Sequence, residues 1–200
     1  MPTTEVRNYT FTTIQGEVSL LDMFGVRDKL LLIHNMGQGC RYCTLWADGF
    51  NGFLPHLESI MSVVLVSKDP PEVQRNFANS RGWRFRLASL GGGEYLQDQA
   101  LSDDYDNSPG AVVYERKSDV IFRKNSSTFG SGDLYCPMWG LLALAGLGEE
   151  EWTPHTITGV GPRTLMMAGE ISANKTTGQR GPMRPSSPAK CARSRLFLAC

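Results

Sequence analysis

The chain has 200 residues, of which 41% are hydrophobic and 20% are charged, and its formal net charge at pH 7 is zero. This length is enough to bury one well-packed core, and the balanced charge argues against a protein that binds nucleic acid. No apolar stretch approaches the roughly 20 residues that span a bilayer, so we expect no membrane segment. The first twenty residues lack the apolar stretch of a secretory signal, and we therefore expect a cytoplasmic protein.

The end of the chain differs in composition from the rest. Residues 156–200 carry seven Lys or Arg against one acid, Glu170, and they are rich in Gly, Ser, Thr and Pro. They show no sustained period of 2 or 3.6 residues, which is typical of a disordered segment. We predict one domain over residues 1–155 and a basic, disordered tail over residues 156–200. The tail is interpreted as a solvated extension, with an arm for nucleic acid or an acidic partner as the alternative.

The first elements are predicted to be a hairpin, a short helical turn and a buried strand. The segment TFTTIQGEVS predicts a β-hairpin that turns near Gln15-Gly16, and Leu20 to Phe24 predicts a helical turn. Lys29 to Asn35 contains four consecutive apolar residues, Leu30 to Ile33, which is typical of a strand covered on both faces.

The central part of the chain predicts a strand–helix–strand unit followed by a second helix. Apolar residues recur at helical spacing from Cys40 onward, and a bend is expected at Gly49, Gly52 and Pro55. The segment MSVVLVS at 61–67 predicts a second buried strand. A helix then starts at Pro70-Pro71 and ends at Gly82, and residues 83–88 predict a short edge strand.

The remaining elements complete an α/β fold. After a loose segment at 90–107, the runs AVVYE and VIFRK predict an antiparallel hairpin. Residues 137–147 predict a helix that starts at a proline and stops at glycines. We expect a mixed sheet with flanking helices and an N-terminal β-hairpin extension.

Two cysteines, Cys40 and Cys43, stand directly after the first buried strand in the stretch GCRYC. At the start of a helix, residues i and i+3 have Cα atoms about 5 Å apart, which is within the range that a disulfide bridges. Free N–H groups and the helix dipole stabilise a thiolate at Cys40. Cys43, one turn further in, is expected to be less exposed and to resolve a mixed disulfide formed at Cys40.

Three other interpretations of this pair compete with the redox interpretation. Cysteine is often a small buried hydrophobe, so the pair could be two reduced core residues. A zinc site needs a second correctly spaced pair, whereas Cys136, Cys191 and Cys200 are remote, and we predict no metal. A permanent structural disulfide is disfavoured in the cytosol. The position between a strand and a helix favours a redox pair.

The order of elements and several segments resemble known proteins. A strand, a C-x-x-C at a helix start, a βαβ unit and a proline before a hairpin are similar to the thioredoxin fold. The segments SLLDMFG, CTLWADGFNGFLPHLE, VSKDPPEV and PGAVVYE resemble the thioredoxin-like family labelled domain of unknown function 899. The resemblance covers about residues 9–155 and is most specific from Cys43 to Glu58. The family's usual spacer between the cysteines resembles Pro-Gly, and this chain has Arg41-Tyr42 instead.

The resemblance implies roles for further residues. It places Pro109 where thioredoxin-like proteins have a cis-proline that shapes the substrate groove. It also places His34 where thioredoxins have a buried acid, and an imidazole there could accept the proton of Cys43. Arg41 and Tyr42, between the cysteines, are expected to contact the substrate and to tune the reduction potential.

The predicted function is thiol–disulfide exchange with protein or small-molecule thiols and disulfides, without a cofactor. The alternative is a thioredoxin-fold binding or scaffold module that does not catalyse. A peroxiredoxin-like peroxidase is disfavoured because peroxiredoxins have Thr or Ser three residues before the reactive cysteine, and this chain has Gly37 there.

Overall fold

The structure of the chain is a computed structural model that describes residues 4–91, 93–103 and 105–155. The predicted tail, residues 156–200, lies outside the described residues. The strands within them are β1 (Thr4–Val6), β2 (Thr10–Thr13), β3 (Gly16–Ser19), β4 (Lys29–His34), β5 (Ser62–Ser67), β6 (Arg86–Ser89), β7 (Gly110–Lys117) and β8 (Val120–Thr128). The α-helices are α1 (Leu20–Met23), α2 (Arg41–Glu58), α3 (Pro71–Arg81), α4 (Glu94–Asp98) and α5 (Pro137–Leu144), and a 3-10 helix spans Glu149–Glu151.

The strands form one mixed sheet in the order β1-β8-β7-β4-β5-β6-β2-β3. The parallel strands β4, β5 and β6 lie at its centre, and the β7–β8 hairpin pairs antiparallel with β4. The β2–β3 hairpin extends the sheet beyond β6, as the sequence predicts for an N-terminal extension. The predicted α/β architecture with a mixed sheet and flanking helices is confirmed.

The sheet must curl, because its first two strands lie far apart in the strand order but close in sequence. Six strand steps separate β1 from β2 in that order, which is about 29 Å in a flat sheet. Only Arg7, Asn8 and Tyr9 connect the two strands, and the four residue steps from Val6 to Thr10 reach about 14 Å at most. The two ends of the sheet are therefore drawn toward each other.

The alternation of side chains along the strands separates two cores. In β4, Leu30 and Leu32 belong to the first core, while Ile33 belongs to the second and Leu31 packs against it. Helices α1 and α4 cover the first core, and α2, α3 and α5 cover the second. Successive strand residues point to opposite faces, so a nearly continuous apolar run such as Leu30 to Ile33 supplies both cores.

The helix boundaries follow from local sequence signals. Helix α2 has Cys40 as its N-cap residue, and its dihedral angles leave the helical region at Phe53, two residues before Pro55. A proline ring clashes with the preceding turn, which explains the predicted bend. Helix α3 has proline at its first position, and Gly82 ends it with a left-handed φ of 68°.

Three features differ from the sequence prediction. The strand expected at 83–88 is found as β6, but it is not an edge strand because β2 pairs with it at Thr12 and Ser89. The segment 90–107, expected to be loose, contains α4, whose Tyr95 and Leu96 are buried in the first core. Strand β1, which the pattern does not predict, pairs antiparallel with residues 121–123 of β8. All three depend on contacts between residues distant in sequence.

The described residues contain no helix that combines the length and the apolar character needed to cross a membrane.

Candidate functional site

The two cysteines lie where the loop after β4 enters α2. Cys40 is the N-cap residue, with φ −89° and ψ 105°, and its sulfur is bonded to that of Cys43 as a disulfide. The Cα atoms of the pair are 5.3 Å apart. This agrees with the expected spacing of residues i and i+3 at a helix start. The same geometry allows the bond to close without moving the backbone.

One backbone N–H group is directed at each of the two sulfur atoms. The Cys43 N–H donates to Cys40 Sγ over 3.1 Å, and the Met36 N–H lies 3.5 Å from Cys43 Sγ. Cys43 is 3% exposed, whereas Cys40 is partly exposed. A partner can therefore reach Cys40 more easily than Cys43. On reduction, N–H dipoles are already directed at the sulfur that carries the charge.

The loop before Cys40 is held from inside by Asn35. This side chain is buried, and its Oδ1 accepts the Gly37 N–H over 2.8 Å. Its Nδ2 lies 3.4 Å from the Cys43 carbonyl oxygen, and its backbone N–H donates to the Val66 carbonyl over 2.9 Å. Asn35 thus ties the loop to the first turn of α2 and to β5.

Asp69 holds the same loop from outside. Its Oδ2 accepts the Gln38 N–H over 2.7 Å, and its own N–H donates to Ser67 Oγ over 3.2 Å. Gly37 has a φ of +108°, and a Cβ built there would lie 2.8 Å from Asp69 Oδ2. Only glycine adopts this backbone conformation readily and leaves room for the carboxylate. The Gly37 carbonyl also accepts the N–H of Cys40 over 3.0 Å.

The two residues between the cysteines have different surroundings. Arg41 is exposed, and Tyr42 is partly buried with its ring centroid 6.2 Å from that of Trp46 and 6.4 Å from that of Trp139. The tyrosine therefore connects the cysteine pair to an aromatic cluster on α2 and α5. In the described part of the chain, the buried indole N–H groups of Trp46 and Trp139 have no hydrogen-bond partner.

Pro109 lies at the same end of the sheet as the cysteine loop. Gly110 is paired with His34, the last residue of β4, so Pro109 is adjacent to the point where that loop leaves the strand. The Pro109 carbonyl accepts the Phe129 N–H over 2.8 Å, which fixes the start of β7.

His34 lies on the other face of the sheet. It alternates with Leu30 and Leu32 of the first core, whereas α2 packs on the second core. Its Nε2 is 2.7 Å from the Tyr95 hydroxyl, and burial together with the charge of Arg123 lowers the pKa of His34 to about 3. The structure does not bring this imidazole to the cysteine pair.

A buried polar network extends from His34. The hydroxyl of Tyr95 is 3.0 Å from that of Tyr114, which donates to Gln99 Oε1 over 3.3 Å. Gln99 Nε2 then donates over 3.2 Å to Tyr9, the residue that precedes β2. The network joins β4, α4, β7 and the N-terminal segment inside the first core, so it stabilises the fold rather than the cysteine pair.

Comparison with known proteins identifies the family. A family model described as "Bacterial protein of unknown function (DUF899)" matches residues 1–164. The chain belongs to this family. No match to the chain is found among curated proteins.

Solved structures share the fold of this DUF899 protein. The bacterioferritin comigratory protein of Xanthomonas campestris, described with an alkyl peroxide reduction activity, is similar with a TM-score of 0.50 and 15% identity, over 60% of this chain and 80% of its own. Peroxidoxin BcpB of Mycobacterium tuberculosis is similar with a TM-score of 0.51 and 16% identity, over 62% of this chain and 83% of its own. The predicted thioredoxin-like fold is confirmed.

The remaining cysteine of the described residues, Cys136, is not part of the candidate site. It is buried at the start of α5, and burial raises the pKa of its thiol. Within residues 4–91, 93–103 and 105–155, no group of three or more His, Cys, Asp or Glu side chains could hold a metal ion.

Sequence reasoning misses the two residues that fix the loop, Asn35 and Asp69. Asn35 directly follows β4, and Asp69 follows β5 by two residues. These strands are parallel neighbours, so their carboxyl ends meet at one edge of the sheet. A polar residue after each of two adjacent strands is the signal that could have identified the pair.

Proposed function

We propose that this DUF899 protein exchanges thiols and disulfides through Cys40 and Cys43. The observation that carries the proposal is the disulfide at the N-cap of α2, with one sulfur accessible, the other buried, and N–H groups directed at both. A structural disulfide does not need one exposed and one buried sulfur. A redox pair needs this difference, because one sulfur must react with the partner and the other must then displace the partner from the mixed disulfide.

The exchange balances in two steps. A substrate thiolate attacks Cys40 Sγ, the Cys40–Cys43 bond breaks, and Cys43 leaves as a thiolate that takes up a proton. A second substrate thiol, having lost its proton, then attacks the substrate sulfur of the mixed disulfide, so the substrate leaves oxidised and Cys40 leaves as a thiolate. Read in reverse, the same steps reduce a substrate disulfide at the expense of the Cys40–Cys43 dithiol.

The surroundings of Cys40 are proposed to form the substrate surface. Arg41 is exposed beside the accessible sulfur, and Tyr42 offers part of its ring. Pro109 is proposed to shape the opposite side, from its position at the start of β7. For His34 we propose a structural role in the first core, through its contact with Tyr95, instead of the proton-accepting role suggested by the resemblance, because its imidazole lies on the other face.

Trapping with glutathione disulfide tests the proposal. The reduced Cys43→Ser variant should form a stable mixed disulfide at Cys40, because the residue that resolves it is absent. Reduced Cys40→Ser should react much more slowly at the buried Cys43, and Cys136→Ser serves as the control that leaves the pair intact. Adducts are mapped by peptide mass spectrometry, since Cys191 and Cys200 also carry thiols. Equal labelling of Cys40 and Cys43 in the two variants would contradict the proposal.

Peroxide reduction is the second candidate, because one protein of similar fold is described with that activity. A peroxidase would consume cumene hydroperoxide as the reduced pair oxidises, and this loss would disappear in Cys40→Ser. Peroxiredoxins have Thr or Ser at the position that Gly37 occupies here. We therefore expect this chain to consume peroxide slowly relative to disulfide exchange. A non-catalytic module, in contrast, would show neither reaction above the rate of a free thiol.

The cytoplasmic location stays a prediction from the sequence.

A further inference from the structure

A cavity lies beside β6, away from the cysteines. It has a volume of about 380 Å³, and we call it the β6 groove. The groove is lined by residues of the β2–β3 hairpin, α1, β5, α3 and β6. Its lining runs along β6 from Arg86 to Ala88 and includes no residue of the cysteine loop. The groove and the cysteine site are therefore separate.

The groove opens because the β2–β3 hairpin separates from β6. The two strands pair at Thr12 and Ser89, near the end of β6, and the described residues show no further pairing toward Arg86. The space left between them is floored by apolar side chains, namely Val18, Met23, Val64, Leu87 and Ala88. Cavities that bind small molecules have this character: a mostly apolar wall of a few hundred Å³ with a small number of polar groups.

Five of the ten residues that line the groove are polar, and two of these, Arg75 and Arg86, are positively charged. The Arg86 guanidinium donates to the Met23 carbonyl over 2.7 Å. Arg86 is exposed on the strand, and partial desolvation lowers its pKa while the charge of Glu58 raises it. Arg75 of α3 is partly buried and has no hydrogen bond or ion pair within the described residues. Glu17, which is exposed, is the acid that lines the groove. The Arg75 guanidinium therefore loses part of its water without a carboxylate bonded to it, and a bound anion would offset that cost.

We propose that the β6 groove binds a small amphipathic carboxylate, with its anionic end at Arg75 and Arg86 and its hydrocarbon part on the apolar floor. An arginine binds a carboxylate through two parallel N–H···O bonds, which fixes the orientation of the ligand. The apolar atoms of the ligand replace water on the partly exposed Val18 and Leu87, which supplies the affinity. Binding does not involve Cys40 or Cys43, so this site is independent of the redox proposal.

Binding of decanoate to the full chain tests the site, measured by isothermal titration calorimetry below the concentration at which decanoate forms micelles. Decanoate should bind, and decylammonium, which has the same hydrocarbon chain and the opposite charge, should not. Arg75→Gln should weaken decanoate binding about tenfold, the effect of losing one charge-assisted pair. Arg84→Gln is the matched control, because Arg84 bonds to Asn51 and does not line the groove.

A second variant separates binding from folding. Val18→Phe should fill the groove and abolish decanoate binding, while its melting temperature stays close to that of the unchanged chain. Cys40→Ser should bind decanoate with unchanged affinity. The proposal is overturned if decanoate does not bind at millimolar concentration, if decylammonium binds equally well, or if Arg75→Gln and Arg84→Gln bind alike.

Discussion

Replacing Gly37 with alanine tests whether the loop before Cys40 requires a glycine at this position. The backbone there has a φ of +108°, and a non-glycine residue in such a conformation costs about 1–3 kcal/mol. The new Cβ would also lie 2.8 Å from Asp69 Oδ2, so the carboxylate must move and its bond to the Gln38 N–H weakens by about 1 kcal/mol. We expect a total loss of about 2–4 kcal/mol in the free energy of unfolding.

Urea unfolding of the oxidised protein measures this loss. With an m-value near 2 kcal/mol/M, the midpoint should fall by about 1–2 M while the slope stays unchanged. Gly39→Ala is the matched control, two residues away in the same loop, because its Cβ would meet nothing within 4 Å and its φ is not positive. That variant should stay within about 0.5 kcal/mol of the unchanged chain. The reasoning is refuted if the two variants lose the same stability, or if Gly37→Ala loses less than about 1 kcal/mol.

Two more predictions follow from buried groups. The pKa of His34 is lowered from 6.5 to about 3, so below pH 6.5 the unfolded chain binds a proton that the folded chain does not. From this residue alone, the free energy of unfolding should fall by about 1.6 kcal/mol between pH 6.5 and 5, with a slope that approaches about 1.4 kcal/mol per unit at lower pH. Urea unfolding at several pH values between 6.5 and 5 measures this dependence. In His34→Gln the loss of stability with decreasing pH should be smaller, whereas the variant of an exposed histidine, His56→Gln, should keep the full loss. Equal pH dependence in the two variants would contradict the assignment to His34. Gly110→Ala should destabilise by about 3 kcal/mol or more, because its Cβ would overlap the Ser127 carbonyl and lie 2.6 Å from Leu101 Cδ1. Thermal unfolding would show this, and a melting temperature within a degree or two of the unchanged chain would contradict the clash.

The parts of the fold that the sequence predicts are those set by local pattern. Strands β4 and β5 are short apolar runs, and α2 combines an apolar period with a proline that explains its bend. The position of Cys40 at the helix start also follows from local order, because a buried strand ends a few residues before it. These features need no knowledge of distant residues.

The parts that the sequence does not predict depend on distant partners. Helix α4 has only five residues, and its burial comes from contacts of Tyr95 with His34 and Tyr114. Strand β1 has only three residues, two of them polar, and the β8 residues with which it pairs lie more than a hundred positions later. The face of the sheet toward which His34 points depends on the register of β4, and the position of His34 relative to Cys40 in the sequence does not give that register. A pattern confined to a short window carries none of this information.

The link between the ends of the curled sheet sets an order of events during synthesis. Residues 4–6 pair with residues 121–123, and Thr12 pairs with Ser89, so this segment is synthesised well before its partners and must wait for them. The first core cannot close until β8 has emerged. Unpaired strands are prone to aggregate while they wait. The polar composition of this segment, with Thr4, Glu5, Arg7 and Asn8, keeps it hydrated over that interval.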